Sequence, residues 1–325
     1  MSTNTKNTLP KIVVLDGYNL NPGDLSWAAL QALGEVMIYD FTTPEGIVER
    51  SEGAAILLVN KAVIHRQIMQ LLPDLQCIAV TATGYNNIDV AAARERGITV
   101  CNAVGYSSEA VVQHVFALLL ELSNAVGRHH DSVQAGDWAA QRSFCYTLQP
   151  IHEIAGKTMG IYGFGNSGRR VGEVAQAFGM RVLATHKHPE RDARPGVRFV
   201  PIEQLFEESD VISLHAPLSA ANTGIVNAAL LSRMKPSALL INTGRGGLVN
   251  EEDLLEALQK GNLAGAGLDV LSIEPPAADH PLIGAPNCIV TPHVAWASVQ
   301  ARQRLMDICV QNVRAFQDGA PQNVV

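Results

Sequence analysis

The sequence contains no Cys-x-x-Cys pair. Its five cysteines (Cys77, Cys101, Cys145, Cys288, Cys309) are scattered and odd in number, which argues against a zinc knuckle or a redox dithiol. They read as small apolar groups in a reducing compartment, and no bound metal is expected. There is no long basic run and the formal net charge is −7, so a nucleic-acid backbone is not an expected partner. Ala110 to Leu122 is the most hydrophobic stretch, yet Gln113, His114 and Glu121 interrupt it and it falls short of the ~20 residues of a bilayer span. Met1 to Pro10 is polar and has no apolar core, so it is not expected to act as a signal peptide. Repeats and low-complexity arrays are also missing. Together these absences predict a cytoplasmic protein with neither membrane nor nucleic acid among its partners.

What is present suits two domains of ordinary size: 325 residues with a 47% hydrophobic fraction, enough for large cores without a covalent staple. Lys11–Asp16, Val36–Tyr39, Ala54–Val59, Cys77–Thr81 and Ile98–Cys101 read as short buried strands. Helical spacing falls between them, at Trp27 to Leu33, Ile64–Leu72 and Ile88–Arg96. A long helix over Ser107–Asn124 follows, with Ala110, His114, Ala117 and Glu121 along one edge, and then a loop rich in Gly, Asp and Gln. A second alternation begins at Lys157. Its strands are Thr158–Tyr162, Arg181–Thr185, Val211–Leu214, Ala238–Asn242, Ala264–Asp269 and Cys288–Thr291. Its helices are Ser167–Phe178, Ile202–Glu207, Ala228–Met234 and Glu251–Lys260, and one last helix spans Ser298–Phe316. Strands alternating with helices predict α/β architecture, with open parallel sheets covered on both faces. The periodicity fits two sequential domains, and equally a discontinuous arrangement in which the last helix returns to the first domain.

Gly163-Phe164-Gly165-Asn166-Ser167-Gly168 follows a predicted strand and opens a predicted helix. Each glycine has a distinct role in that context. Gly163 allows the tight turn, Gly165 lets a pyrophosphate approach the backbone, and Gly168 lets helix pack on strand. The helix N-terminus offers unpaired N–H groups to phosphate. This predicts a dinucleotide-binding unit. An NAD site would place an acidic residue at the tip of the next strand, roughly 20 residues on, for the ribose 2′-OH. That strand ends Ala184-Thr185-His186-Lys187-His188, with Glu190 as the nearest carboxylate. His186, Lys187 and His188, with Arg191 in reach, suit the extra phosphate of NADP, so NADP(H) is expected to be favoured over NAD(H).

Further segments carry a family resemblance. They are Thr83-Gly84-Tyr85-Asn86-Asn87-Ile88-Asp89, His215-Ala216-Pro217-Leu218, Ile241-Asn242-Thr243-Gly244-Arg245-Gly246-Gly247-Leu248-Val249, Gly267-Leu268-Asp269-Val270 through Glu274-Pro275-Pro276, and Thr291-Pro292-His293-Val294-Ala295-Trp296. In this order and spacing the chain resembles the D-isomer-specific 2-hydroxyacid dehydrogenases from about Lys11 to its C-terminus. Val14-Leu15-Asp16-Gly17-Tyr18 and Leu271-Ser272-Ile273-Glu274-Pro275-Pro276 point to the glycerate dehydrogenase and hydroxypyruvate (glyoxylate) reductase branch. The resemblance implies the discontinuous layout: a flavodoxin-like substrate domain of residues 1–104 and 296–325, a Rossmann cofactor domain of 105–295, and a cleft between them. It further implies a homodimer formed through the long helix and the segment Gly127 to Gln149.

A reductase of 2-keto acids needs a cation to hold the carboxylate and polarise the carbonyl, an acid to protonate the developing alkoxide, and a group that keeps the acid charged. Arg245, between glycines at a strand end, suits the first, because guanidinium grips carboxylate bidentately. His293 suits the second, since imidazole titrates close to working pH. Glu274 is the implied partner of His293, since a carboxylate on imidazole favours the charged form and fixes the tautomer. A Glu here, where formate dehydrogenases carry Gln, speaks for proton transfer. The family pattern further implies substrate contacts from Asn60, the Thr83-Gly84 backbone, Arg245 and His293. Cofactor contacts are expected from Gly163 to Gly168, His186 to His188, His215, Ala216, Pro217, Thr243, Gly244, Arg245, Asp269, His293 and Ala295. Trp296 reads either as a specificity residue or as core of the last helix. Two rivals stand beside this reading: a dinucleotide-sensing, corepressor-like regulator on the same fold, and a phosphite-type dehydrogenase.

Overall fold

The computed structural model describes residues 9–325, so the reading of Met1 to Pro10 lies, apart from Leu9 and Pro10, outside the described residues. The chain divides into two compact units, one running to Ser107 and resuming over Ala297–Val325, the other spanning Ser108–Trp296.

The first unit is built on strands β1 (Lys11–Val14), β2 (Glu35–Ile38), β3 (Ile56–Val59), β4 (Cys77–Val80) and β5 (Thr99–Cys101). All are parallel, in the order β2-β1-β3-β4-β5. Helices α1 (Ala28–Gln31), α2 (Ile47–Arg50), α3 (Arg66–Gln70) and α4 (Val90–Glu95) connect them. The aliphatic runs of β3 and β4 are buried throughout, as expected for central strands covered on both faces. Asp89 caps α4 by accepting from the Ala92 amide at 2.9 Å, which satisfies one of the orphan donors of a helix start.

The second unit opens with α5 (Ser108–Asn124) and α6 (Val126–Gln134). The segment after Asn124, expected as a loop, is therefore helical in its first part. Ala125 takes a left-handed φ of 49° between the two helices, and this break, together with the polar composition of α6, hides the second helix from hydrophobic periodicity. Next come β6 (Thr158–Tyr162), α7 (Asn166–Ala177), β7 (Arg181–Thr185), β8 (Val197–Phe199), α8 (Ile202–Glu208), β9 (Val211–Leu214), α9 (Ala228–Leu231), β10 (Leu239–Asn242), α10 (Glu251–Gln259), β11 (Gly265–Leu268) and β12 (Cys288–Val290). The sheet order is β12-β11-β10-β9-β6-β7-β8, all parallel. Strand β8 was not expected; it is a three-residue edge strand with no fully buried residue. Successive residues of β10 serve opposite faces: Leu240 packs with Leu205, Phe206, Leu254 and Leu268 on one side, Ile241 with Val115, Leu119, Ile161 and Val171 on the other. Each such side chain contributes about 1.5–3 kcal/mol by leaving water. α5 is apolar because it lies in this second core, with seven of its residues buried. No single helix among the described residues is long and apolar enough to cross a membrane.

The chain ends in α11 (Val299–Gln317), which belongs to the first unit and is capped by Ser298. Its buried Arg302 makes a two-pronged ion pair with Asp24, both contacts at 2.6 Å, and its buried Asn312 donates to the Asn102 carbonyl at 2.9 Å.

Candidate active site

The β6-β9 junction is where the connectivity of the second sheet reverses, the position at which open parallel sheets bind ligands. The glycine turn leaves β6 here. Gly163 has φ 94°, and a Cβ on it would come within 3.0 Å of the His215–Ala216 backbone at the end of β9. A Cβ on Gly168 would meet the Gly163 carbonyl, whereas Gly165 has open space. Phe164 is 1% exposed and its ring packs edge-on against Phe199 at 5.3 Å. Its side chain thus anchors the turn, leaving only its backbone to face a phosphate. At the end of β9, His215 shares a 2.8 Å hydrogen bond with the Ser213 hydroxyl, and burial pushes its imidazole down to about 4.

Strand β10 delivers Arg245. The buried Asn242 side chain receives the Gly244 amide at 3.0 Å and donates to the Arg245 carbonyl at 2.9 Å, so the loop leaves the strand in one conformation. The Arg245 head is exposed, with Nη1 donating to the Gly244 carbonyl at 2.8 Å. The next residue, Gly246, has no room for a Cβ, which would run into the Leu271 carbonyl group. That contact seats the arginine loop on the loop that follows β11.

Asp269 directly follows strand β11 and is 1% exposed. Its carboxylate accepts from the Thr291 hydroxyl at 2.6 Å and from the Val294 and Ala295 amides at 2.9 and 2.8 Å. Burial alone would raise this carboxyl; the nearby His114 ring, the Thr291 hydroxyl and the two amides outweigh it and hold the group below the usual carboxylate range. The His293 amide donates to the Asp269 carbonyl at 2.8 Å, and His293 itself sits at φ 55°, a left-handed conformation uncommon for a non-glycine residue. Asp269 therefore fixes the backbone course of the turn after β12 that carries His293.

That ring meets Glu274: Nδ1 lies 2.6 Å from Oε2, with both side chains about one-third exposed at 29% and 30%. The other oxygen of Glu274 accepts the Leu271 amide at 3.1 Å. Facing a charged carboxylate, Nδ1 carries the hydrogen, so Nε2 is the working nitrogen. Glu251, at the start of α10, steadies the same loop through the Ser272 amide at 2.7 Å and His280 at 3.3 Å.

The second unit thus brings together Arg245, Glu274, His293 and Asp269 at the C-terminal ends of adjacent strands. In the first unit, Asn60 is 7% exposed and its amide donates to the Thr81 carbonyl at 2.7 Å, so that side chain is committed to its own fold. The Asp16 carboxylate gathers the amides of Asn60, Lys61 and Ala62. Thr83 spends its hydroxyl on the Ala103 carbonyl and its carbonyl on Asn102, each at 2.7 Å. Among the described residues, the Thr83 and Gly84 N–H groups have no protein acceptor, so both remain available as donors.

Two residues escaped the sequence reading. His114 on α5 lies with Nε2 2.9 Å from Thr291 Oγ1 and 3.4 Å from Asp269 Oδ1. The threonine hydrogen is spent on Asp269, so His114 donates to the hydroxyl oxygen. The other is Asp192. The sequence gives Glu190 as the nearest carboxylate to the tip of β7; in the fold Asp192 comes back to lie 2.9 Å from His186. Only its position in a return loop, seven residues beyond the strand, concealed it. Lys187 and His188 are exposed beside it. Trp296 is half-buried and lies before α11, not within it.

A nicotinamide dinucleotide fits these residues. The glycine cradle would be filled by any Cβ, and the buried Thr243 hydroxyl, at the end of β10, is without a hydrogen-bond partner, a condition that native structures rarely leave without a ligand or water to satisfy it. A dinucleotide cradle at the sheet's switch point, beside a carboxylate-held histidine, defines an NAD(P)-dependent oxidoreductase. The comparisons agree. The family model described as "D-isomer specific 2-hydroxyacid dehydrogenase, NAD binding domain" matches residues 116–295. The chain is 45% identical to a hydroxypyruvate reductase of Blautia hydrogenotrophica, over 97% of this chain and 99% of that protein. It is also 45% identical to a glycerate dehydrogenase of Methylorubrum extorquens, over 97% and 98%. Among solved structures, an NADPH-dependent glyoxylate/hydroxypyruvate reductase from Sinorhizobium meliloti, in complex with NADP and malonate, superposes with a TM-score of 0.82 at 29% identity, over 98% of this chain and 97% of that one. The chain belongs to the D-isomer-specific 2-hydroxyacid dehydrogenase family.

Proposed function

We propose that this enzyme reduces a small 2-keto acid of the hydroxypyruvate or glyoxylate kind to the D-2-hydroxy acid, with His293 as general acid and Arg245 as substrate clamp. The observation that carries the reading is the 2.6 Å contact between His293 and Glu274, two loops joined at the end of neighbouring strands. The names of the two 45% identical relatives support the substrate class, and those relatives favour neither the sensor nor the phosphite reading.

When bound, the nicotinamide supplies the hydride that C2 of the keto acid receives. Arg245 presents its guanidinium to the substrate carboxylate and the carbonyl oxygen, where negative charge develops during reduction. The Thr83 and Gly84 amides are proposed as further donors to the carboxylate. His293 Nε2 gives its proton to that oxygen, and Glu274, at Nδ1, stabilises the charged ring before transfer and keeps it aimed. Thr243, Asp269 and the turn through Ala295 would hold the nicotinamide end, and Gly163 to Gly168 the pyrophosphate.

NADP(H) is proposed as the favoured cofactor, on the basic tip His186-Lys187-His188. A homodimer is proposed through the segment after α5. Phe144 is 88% exposed, Val126 64% and Trp138 52%, and the same unit carries a recess of about 690 Å³ with a mixed lining that includes Leu119, Leu122, Ile154, Glu121, Arg128 and Asp210. Exposed apolar side chains gathered on one segment are what a two-fold pair of copies covers. The free thiols fit a reducing compartment such as the cytoplasm.

The test follows absorbance of the reduced nicotinamide with hydroxypyruvate or glyoxylate, NADPH and NADH in parallel. Loss with NADPH supports the whole reading, loss with NADH alone keeps the reductase and removes the cofactor preference, and no loss with either removes the proposed substrate class. Light scattering of parent and Phe144→Asp reports the dimer, which the variant should dissociate.

A further inference from the structure

The loop after β7 contains an unusually saturated carboxylate. Asp192 is 3% exposed, and four nitrogen contacts surround its two oxygens. Oδ1 accepts from Arg169 Nη1 at 3.2 Å and Arg191 Nε at 3.3 Å; Oδ2 accepts from Arg191 Nη2 at 2.8 Å and lies 2.9 Å from His186 Nδ1. The Arg191 guanidinium, ahead of His186 and Arg169, holds this carboxyl below the usual carboxylate range. Arg169 also spans to the glycine turn, with Nη2 on Asn166 Oδ1 at 2.9 Å.

A carboxylate near this strand tip invites the NAD assignment, in which it would accept from the ribose 2′-OH. The geometry opposes that. A carboxylate has about four acceptor sites; here three guanidinium hydrogen bonds occupy three of them and the His186 ring crowds the fourth, so a ribose hydroxyl would have to displace a guanidinium or the imidazole. The charge count points the same way. Two arginines against one aspartate leave the cluster net positive even with His186 neutral, and Lys187 adds to it. Arg191 nevertheless keeps its side chain 68% exposed, so its remaining N–H groups face outward.

We propose that Asp192 is a positioning residue which, from beneath, splays Arg169, Arg191 and His186 into a cradle for the 2′-phosphomonoester of an NADP-type dinucleotide. This rests on the proposed NADP(H) preference and names the device behind it. Asp192 never touches the phosphate; it fixes cations that do. Without it the guanidiniums keep their charge and lose their common direction, and two-pronged recognition depends on direction.

The test is calorimetric and needs no turnover: the full chain without cofactor is titrated with 2′,5′-ADP and with AMP, and the affinity ratio is compared between parent, Asp192→Asn and Arg191→Ala. The expected ratio in the parent is about tenfold or more in favour of 2′,5′-ADP, the size of one or two charge-assisted hydrogen bonds. Both variants should lose most of it. An Asp192→Asn protein that keeps or widens the parental ratio overturns the role of Asp192 while leaving the cofactor preference standing. A parent without any ratio overturns the preference and this inference together. Should Asp192→Asn fail to fold, Arg169→Met reads the same cradle, and an undiminished ratio there overturns the proposal.

Discussion

The imidazole Nδ1 of His293 and the carboxylate Oε2 of Glu274 lie 2.6 Å apart, although their segments leave different strands of the sheet. The pair leaves Nε2 as the free nitrogen. Replacing His293 by Asn should cut turnover by about 10²–10⁴, the usual worth of a general acid, while the dissociation constant of the reduced cofactor, read by fluorescence, moves little. Glu274→Gln keeps an acceptor for Nδ1–H but removes the charge, and should cause a smaller loss, on the order of tenfold. A His293→Asn enzyme with near-parental turnover would remove the assigned role.

Arg245→Lys keeps the charge and discards the planar fork. The KM for keto acid should rise by about tenfold or more, and Arg245→Met should be worse. Equal KM values for parent and lysine variant would mean that the arginine acts only as a point charge.

Gly246→Ala places a methyl group against the Leu271 carbonyl. Overpacking of this kind costs about 1–3 kcal/mol, a drop of a few degrees in Tm. Activity should fall further than stability accounts for, because the same contact relates the Arg245 loop to the loop bearing Glu274. A variant with parental Tm would show that the two loops separate freely.

His215, pushed down to about 4 by burial, makes stability depend on pH. The unfolded chain binds a proton near pH 6.5 and the folded chain only near 4, so the unfolded state holds more protons in that window. Stability is full above about 6.5 and declines as pH falls towards 4, by up to about 3 kcal/mol. His215→Gln should flatten this part of the curve when denaturation midpoints are measured across pH 4–7. Parallel curves for variant and parent would assign the acid sensitivity elsewhere.

The central strands were legible because they are aliphatic runs buried on both faces, as in β3, β4 and β9; Arg181–Thr185 is a strand whose limits the sequence pattern and the structure share. The glycine turn was legible because its spacing is itself the geometry. What escaped depends on contacts between residues distant in sequence or on conformations that leave no periodic trace. His114 reaches Thr291 across 177 residues. Asp192 becomes a neighbour of Arg169 only after the chain turns back under β7. The helix α6 begins at a left-handed alanine and carries mostly polar side chains, and β8 is too short and too exposed to alternate visibly. The sequence offers Asn60 as a substrate contact, and only the fold brings its amide to the Thr81 carbonyl.

The strand order of the second sheet separates two kinds of specificity. The groups proposed for the chemistry of the keto acid follow β10, β11 and β12 at one side, while the groups proposed to read the adenosine end follow β6 and β7 at the other, with β9 between. The contacts described for Asp192 in the loop after β7 run to His186, Arg191 and Arg169, on the glycine-turn side of the sheet. Exchange of one dinucleotide for the other is therefore open to gradual change in lineages and in directed evolution alike, without any intermediate that has lost the means to handle its substrate.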